Sequence, residues 1–358
     1  VAGAVDTVQR VVLYTEDDPL HLECGRTLAP VEVAYATFGT LDADGGNAVF
    51  ACHALTGDAR VTGPGGWWKT LVGPGRPVDT DRFFVVCANL LGGCQGTTGP
   101  SSINPATGKP YHWDFPPLTI RDLVTVHRRL LEHLGIERLY AAIGGSLGGM
   151  QVLQWILDAP GQIQRAGIFA ASAELTTQNI AFSAVARAAI RAGDPWAGMA
   201  VARRLGHITY LNEKSLQQRF GRKRREGTEV LPANAADWLD TRFEIESYLD
   251  HQAETFLARF DPYSYLWLTR VMDDFTPLED MDAVRRAMQA QPDLRTLVLS
   301  FNSDWRFGTA HSEFIAKRLR EAGAKHLELV EVDAPYGHDA FLLESDEYHA
   351  HVRRFLAE

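Results

Sequence analysis

Gly144-Gly145-Ser146-Leu147-Gly148 is the segment of this chain most clearly equipped for chemistry. It follows a short apolar run, Leu139 to Ile143, and precedes Met150 to Leu157, where apolar residues recur with helical spacing. Strand, glycine turn and helix is the setting in which G-x-S-x-G presents a serine as a nucleophile. Side chains beside that serine would collide with the strand and the helix, so glycine suits both flanks of a strained turn. The serine oxygen then projects at a helix N-terminus, where backbone N–H groups can hold developing negative charge. Taken without partners, the same pentapeptide also reads as a glycine-rich turn packed closely against a neighbour.

A nucleophilic serine needs a base, and the base needs an acid to orient it. In one of the known chain orders the serine comes first, then the acid, then the histidine. The strand-like Thr296–Phe301 runs into Asn302-Ser303-Asp304-Trp305, and Leu327–Val332 runs into Asp333-Ala334-Pro335-Tyr336-Gly337-His338-Asp339. Both segments lie just after a strand, at the end where open parallel sheets place their sites. Asp304 and His338 are therefore the candidate acid and base. Of the 12 histidines, His127, His133, His349 and His351 stand in charged helix-like stretches and are expected to be solvated.

The elements that must position these groups alternate. Val31–Phe38, Asn47–His53 and Arg82–Leu90 read as strands, and Asp122–Leu134 reads as a helix stopped by Gly135. Strand Leu139–Ile143, the helix after Ser146, and strand Ala166–Ala171 follow. Such alternation implies an α/β fold with a mostly parallel, doubly wound sheet. From residue 174 to 290 the chain is rich in Ala, Arg, Glu and Leu, with polar breaks at Gly193-Asp194-Pro195 and from Gly227 to Asn234. This stretch is expected to be an inserted helical lid over the C-terminal edge of the sheet, between core segments 1–173 and 291–358. A lid of this kind could exclude water from the site.

Composition narrows the class. The 358 residues are 46% hydrophobic and 22% charged, ordinary for a soluble globular enzyme. A net charge of −10 offers no basic field for nucleic acid or anionic membrane. The one basic run, Arg219 to Arg225, is expected to be a solvated loop. No apolar stretch approaches the ~18 residues of a membrane span. Val1 to Asp6 lacks the basic and apolar segments of a secretory leader. The four cysteines show neither metal-ligand spacing nor a disulfide framework, which favours a reducing compartment, with Cys52 and Cys87 as core residues.

Longer motifs carry a resemblance. They include His53-Ala54-Leu55-Thr56-Gly57-Asp58-Ala59, Gly66-Trp67-Trp68, the run from Asn89 to Ser102, and Asn104 to Pro110. Others are Gly144 to Gln151, Gln178-Asn179-Ile180-Ala181-Phe182 and Gly206-His207-Ile208-Thr209-Tyr210. In these the chain resembles the homoserine O-acetyltransferases, acyl-CoA transferases of methionine biosynthesis with the α/β-hydrolase fold. The match runs from about Leu22 to the end.

The resemblance implies Ser146 as nucleophile, Asp304 as acid and His338 as base, in agreement with chain order. It also implies that the backbone N–H groups of Leu55 and Leu147 form the oxyanion hole, and that Arg203, Tyr210 and Asp339 bind the amino acid. The implied reaction moves an acetyl group from acetyl-CoA, a co-substrate, to the hydroxyl of L-homoserine through an acyl-serine, with no metal and no resident cofactor. A cytoplasmic homodimer joined through the helical insert is the implied assembly. Succinyl-CoA as donor, serine as acceptor, and an esterase or thioesterase using the same triad remain alternatives. At one place the chain departs from the family. After Ser303-Asp304-Trp305 the family commonly has an apolar residue with a proline nearby, whereas this chain has Arg306-Phe307-Gly308. That places an additional guanidinium near the site, able to pair with a carboxylate.

Overall fold

The computed structural model describes residues 8–228 and 230–357. The reading of Val1 to Asp6 therefore lies outside the described residues. Eight strands form the central sheet: β1 (Gln9–Tyr14), β2 (Val31–Phe38), β3 (Ala48–Cys52), β4 (Phe84–Ala88), β5 (Leu139–Gly145), β6 (Ile163–Phe169), β7 (Arg295–Phe301) and β8 (His326–Val332). Their order across the sheet is β1-β2-β4-β3-β5-β6-β7-β8. β2 pairs antiparallel with β1 and with β4, and all other neighbours are parallel. Strands covered on both faces need apolar residues on both faces. Ala-Val-Phe-Ala-Cys in β3 accordingly is buried at every position.

α1 (Ile120–His133) packs against β1 and α2 (Leu147–Asp158), α2 packs against β3, β5 and β6, and, after a long interval, α10 (Thr309–Glu321) packs against β7 and β8. Within that interval lie α3 (Thr177–Arg191), α4 (Pro195–Tyr210), α5 (Glu213–Arg219), α6 (Ala235–Leu239), α7 (Glu244–Leu257), α8 (Pro262–Asp273) and α9 (Met281–Gln289). The described chain ends in α11 (Asp346–Ala357). α1 begins two residues earlier than its apolar spacing suggests. Thr119 caps it, with Asp122 returning a hydrogen bond to the Thr119 N–H at 2.8 Å. No helix among the described residues is long and apolar enough to cross a membrane.

Two histidines contradict the expectation of solvation. His127, on α1, is 1% exposed, and His349, on α11, is 7% exposed. His127 shares the inner face of α1 with Leu123, Val124, Leu130 and Leu131, all buried. Its ring packs against Phe50 and Trp155, with centroids 4.8 and 6.1 Å away.

Candidate active site

The turn between β5 and α2 holds Ser146 at φ +58°, a left-handed conformation in a residue with a side chain. Such geometry costs about 1–3 kcal/mol and needs surrounding structure to enforce it. The flanking glycines supply the room. A Cβ on Gly144 would stand 2.3 Å from the Gly148 carbonyl carbon, and one on Gly148 would stand 2.1 Å from the Cys52 carbonyl oxygen. The elbow is thus wedged directly against the end of β3. Gly148→Ala should lose at least the roughly 1–3 kcal/mol typical of overpacking, because the obstacle is backbone. Urea unfolding of the variant beside wild type measures this; equal stability would mean that the elbow can relax.

Ser146 Oγ lies 2.9 Å from His338 Nε2, and His338 Nδ1 lies 2.7 Å from Asp304 Oδ2. The carboxylate can only accept, so Nδ1 carries the ring proton and Nε2 is free to accept from the serine. Asp304 Oδ1 in turn accepts from the N–H groups of Arg306 and Phe307 at 2.9 and 2.8 Å. Burial alone would raise the Asp304 pKa. Attraction to His338 and these hydrogen bonds outweigh it and hold the carboxyl below the usual carboxylate range. The His338 ring is fixed by Phe307, Phe341 and Tyr210, at centroid distances of 4.8, 5.7 and 6.0 Å. Asp304 follows β7 and His338 follows β8, while Ser146 follows the central β5. All three thus meet at one end of the sheet.

The N–H groups of Leu55, after β3, and Leu147, the first residue of α2, donate to no group among the described residues.

Near His338 stand two charged side chains, Arg203 and Asp339, which make no ion pair among the described residues but attract each other. Arg203, on α4, lies over the Phe256 ring at 4.3 Å and near the Tyr210 ring at 6.0 Å. Its Nε is buried without a hydrogen-bond partner, and it makes no ion pair among the described residues. Asp339 adjoins His338. Burial pushes its pKa up, against the pull of His338 and Arg203. Arg306 is 9% exposed and donates from Nη1 to Thr209 Oγ1 at 2.8 Å. The rings of Tyr210, Phe182 and Phe307 lie 5.3, 5.9 and 5.9 Å from its guanidinium carbon. It has no carboxylate partner among the described residues, so the departure noted in the sequence leaves an enclosed cation with no protein anion.

A groove of about 670 Å³ opens beside the Asp304 turn, lined by residues that include Leu211, Phe220, Ser303 and Trp305. Ser146 and His338 do not line it. No cluster of three or more His, Cys, Asp or Glu among the described residues is arranged to hold a metal ion. Spacing alone did not single out Thr209, the partner of Arg306, nor the polar group of His53, His127 and Gln151 behind the elbow. Thr209, His53 and Gln151 do lie inside the motifs that carry the resemblance.

Over residues 47–345 the chain matches the α/β hydrolase fold family, the class that the sheet order and the serine elbow define. It is 49% identical to a homoserine O-succinyltransferase of a Nocardioides species, across 99% of this chain and 98% of that protein. It is 46% identical to the homoserine O-acetyltransferase of Gluconobacter oxydans, across 99% and 94%. The chain belongs to this family of acyltransferases. Among solved structures, the homoserine O-acetyltransferase from Bacillus anthracis matches with TM-score 0.85 and 25% identity, covering 98% of each chain. Esterase E22 matches with TM-score 0.83 and 25% identity, over 98% of this chain and 100% of that one.

Proposed function

We propose that this protein transfers an acyl group from an acyl-CoA thioester to the side-chain hydroxyl of L-homoserine, through an acyl-Ser146 intermediate. The observation that carries this reading is the hydrogen-bonded Ser146, His338 and Asp304 with Arg203 and Asp339, a cation and an acid that make no ion pair among the described residues, near the same histidine. A hydrolase needs the first set alone. A zwitterionic acceptor also needs the second.

The chemistry runs in two halves. His338 Nε2 takes the Ser146 proton as Oγ bonds to the thioester carbonyl carbon. The Leu55 and Leu147 N–H groups hold the oxyanion, each contributing roughly 3–4 kcal/mol. The C–S bond breaks, the proton passes to the thiolate, and coenzyme A leaves. Homoserine then binds with its carboxylate on Arg203 and its ammonium on Asp339, with Tyr210 between Arg203 and His338. His338 removes the hydroxyl proton, the homoserine oxygen attacks the acyl carbon, and Ser146 is released with the proton returned. Helices α3 to α9 act here as a lid that excludes water, the rival nucleophile. Orientation does the rest: effective molarities of roughly 10⁵ M suffice against solvent. Pairing of two copies through α3 and α4, whose Val185, Val201 and Ile208 are exposed, belongs to the same reading, as does a cytoplasmic setting.

Acetyl-CoA is the donor that the resemblance implies. Arg306 favours a second donor, succinyl-CoA. A buried guanidinium without an anion is costly, and the free carboxylate of a succinyl group would supply the missing charge. An acetyl group cannot.

The test pairs acetyl-CoA and succinyl-CoA with homoserine, serine and water, following free thiol. Homoserine should accelerate thiol release far above serine or water; equal rates with water would make the protein a thioesterase. Arg306→Leu should lower kcat/KM for succinyl-CoA by roughly 10–150-fold, the value of a charge-assisted hydrogen bond. The acetyl-CoA rate should change much less. A donor ratio within about twofold of wild type would remove Arg306 from the acyl pocket.

A further inference from the structure

We propose that Gln151 is a positioning residue that sets the two halves of the oxyanion hole against each other. This rests on reading the Leu55 and Leu147 N–H groups as the donors of that hole. The two groups come from separate segments, the loop after β3 and the first turn of α2, which are brought near each other by the pairing of Gly144 with Cys52 and the close approach of Gly148 to the Cys52 carbonyl. Gln151 spans the gap. It is fully buried, and its amide nitrogen donates to the Leu147 carbonyl and to the His53 carbonyl, both at 3.0 Å. Both amide hydrogens are therefore used, one on each segment. Its oxygen lies 2.9 Å from His127 Nε2. Two carbonyls around one end of the amide identify that end as the nitrogen, so His127 is the donor to the other end. Burial lowers the His127 pKa to about 4, so the ring is neutral and Nε2 carries its single proton.

His53 completes the arrangement on the loop side. Its Nδ1 donates to the Ala54 carbonyl at 2.7 Å, and its Nε2 accepts from the Leu90 N–H at 3.2 Å. The Ala54 carbonyl and the Leu55 N–H belong to one trans peptide unit and point in opposite directions. Holding the carbonyl therefore aims the N–H. The Gly57 N–H grips the same carbonyl at 3.0 Å. His53 thus sets the direction of one donor, and Gln151 sets its distance from the other. Packing alone would be met by apolar side chains; a polar cluster whose donors end on these particular carbonyls does more than fill space.

Donors in an oxyanion hole act within a few tenths of an ångström, and removal of one lowers kcat by about 10²–10³. Displacement is milder than removal. Gln151→Met, which keeps the volume and offers no hydrogen, should slow acylation of Ser146 by roughly 10–100-fold, with KM for the donor within about threefold. The loss should be similar for acyl-CoA and for p-nitrophenyl acetate, since both attacks pass through an oxyanion. His127→Phe is the comparison. It keeps the ring packing and leaves both Gln151 donations in place, so its acylation rate should stay within about fivefold of wild type although its Tm also falls. Acylation is followed by stopped flow and intact mass, and Tm by circular dichroism. If Gln151→Met does not fold, Gln151→Leu replaces it, because that side chain too has no hydrogen to give. A Gln151 variant that acylates within threefold of wild type overturns the proposal, as does a rate that tracks Tm equally in both variants. A wild type that cleaves p-nitrophenyl acetate but accepts nothing from either CoA thioester refutes the acyl-CoA reading, and Gln151 is then judged on the ester. Failure to attack either substrate refutes the hole and the proposal together.

Discussion

Ser146→Ala and His338→Ala should each lower kcat by about 10⁴–10⁶, because the members of a triad act as one unit. His338 Nε2 is 2.9 Å from the serine oxygen, and its other nitrogen is committed to Asp304 at 2.7 Å. Asp304→Asn should lose about 10⁴. An amide there can give a hydrogen to Nδ1, which would move the ring proton to Nε2 and leave the serine without an acceptor. Brief mixing of wild type with acyl-CoA, without amino acid, should add one acyl group at Ser146 by intact mass. The serine variant should add none. Most of the activity surviving in Ser146→Ala would end the covalent mechanism.

Arg203→Ala separates amino-acid recognition from acyl chemistry. With acetyl-CoA the reacting end of the donor has no carboxylate, so acylation should run within about threefold of wild type. Transfer to homoserine should fall roughly 10–150-fold in kcat/KM, the value of one charge-assisted hydrogen bond. The acyl-enzyme should therefore persist, or leak to water. Single-turnover mass spectrometry with and without homoserine resolves the two halves. Asp339→Asn is a less clean probe, since Asp339 adjoins His338. If Arg203→Ala slows both halves alike, Arg203 is structural and the acceptor pocket lies elsewhere.

The parts of this architecture that could be read from the sequence were those written in local pattern. β3 is a wholly apolar run, and β5 and β7 have apolar centres, Ala141 to Ile143 and Leu297 to Leu299, before they run into glycine or polar turns; burial on both faces leaves that trace. Edge strand β1, Gln-Arg-Val-Val-Leu-Tyr, begins polar and is half-covered, so only its pairing with β2 identifies it. Arg128 and Arg129 follow His127 and suggest a wet face, although the ring is buried. Yet it stands one helical turn from both Leu123 and Leu131, and that spacing would have placed it inside. Arg306 was visible as a departure, but its surroundings were not. Thr209 is 97 residues away in sequence, on α4, and only the packing of α4 over the β7 turn brings the two together.

The separation of Ser146 and His338 has a consequence for synthesis. They are 192 residues apart, with the base last. At roughly 5–20 residues per second, a ribosome makes the serine about 10–40 s before the histidine. Until Arg295 to Phe301 have been made, β6 has no β7 beside it and presents an open edge to other chains. The nascent serine, for its part, has no His338 beside it. Catalytic activity in a cell extract therefore counts chains whose last two strands have docked, whereas an antibody against the first half counts every chain that has been started.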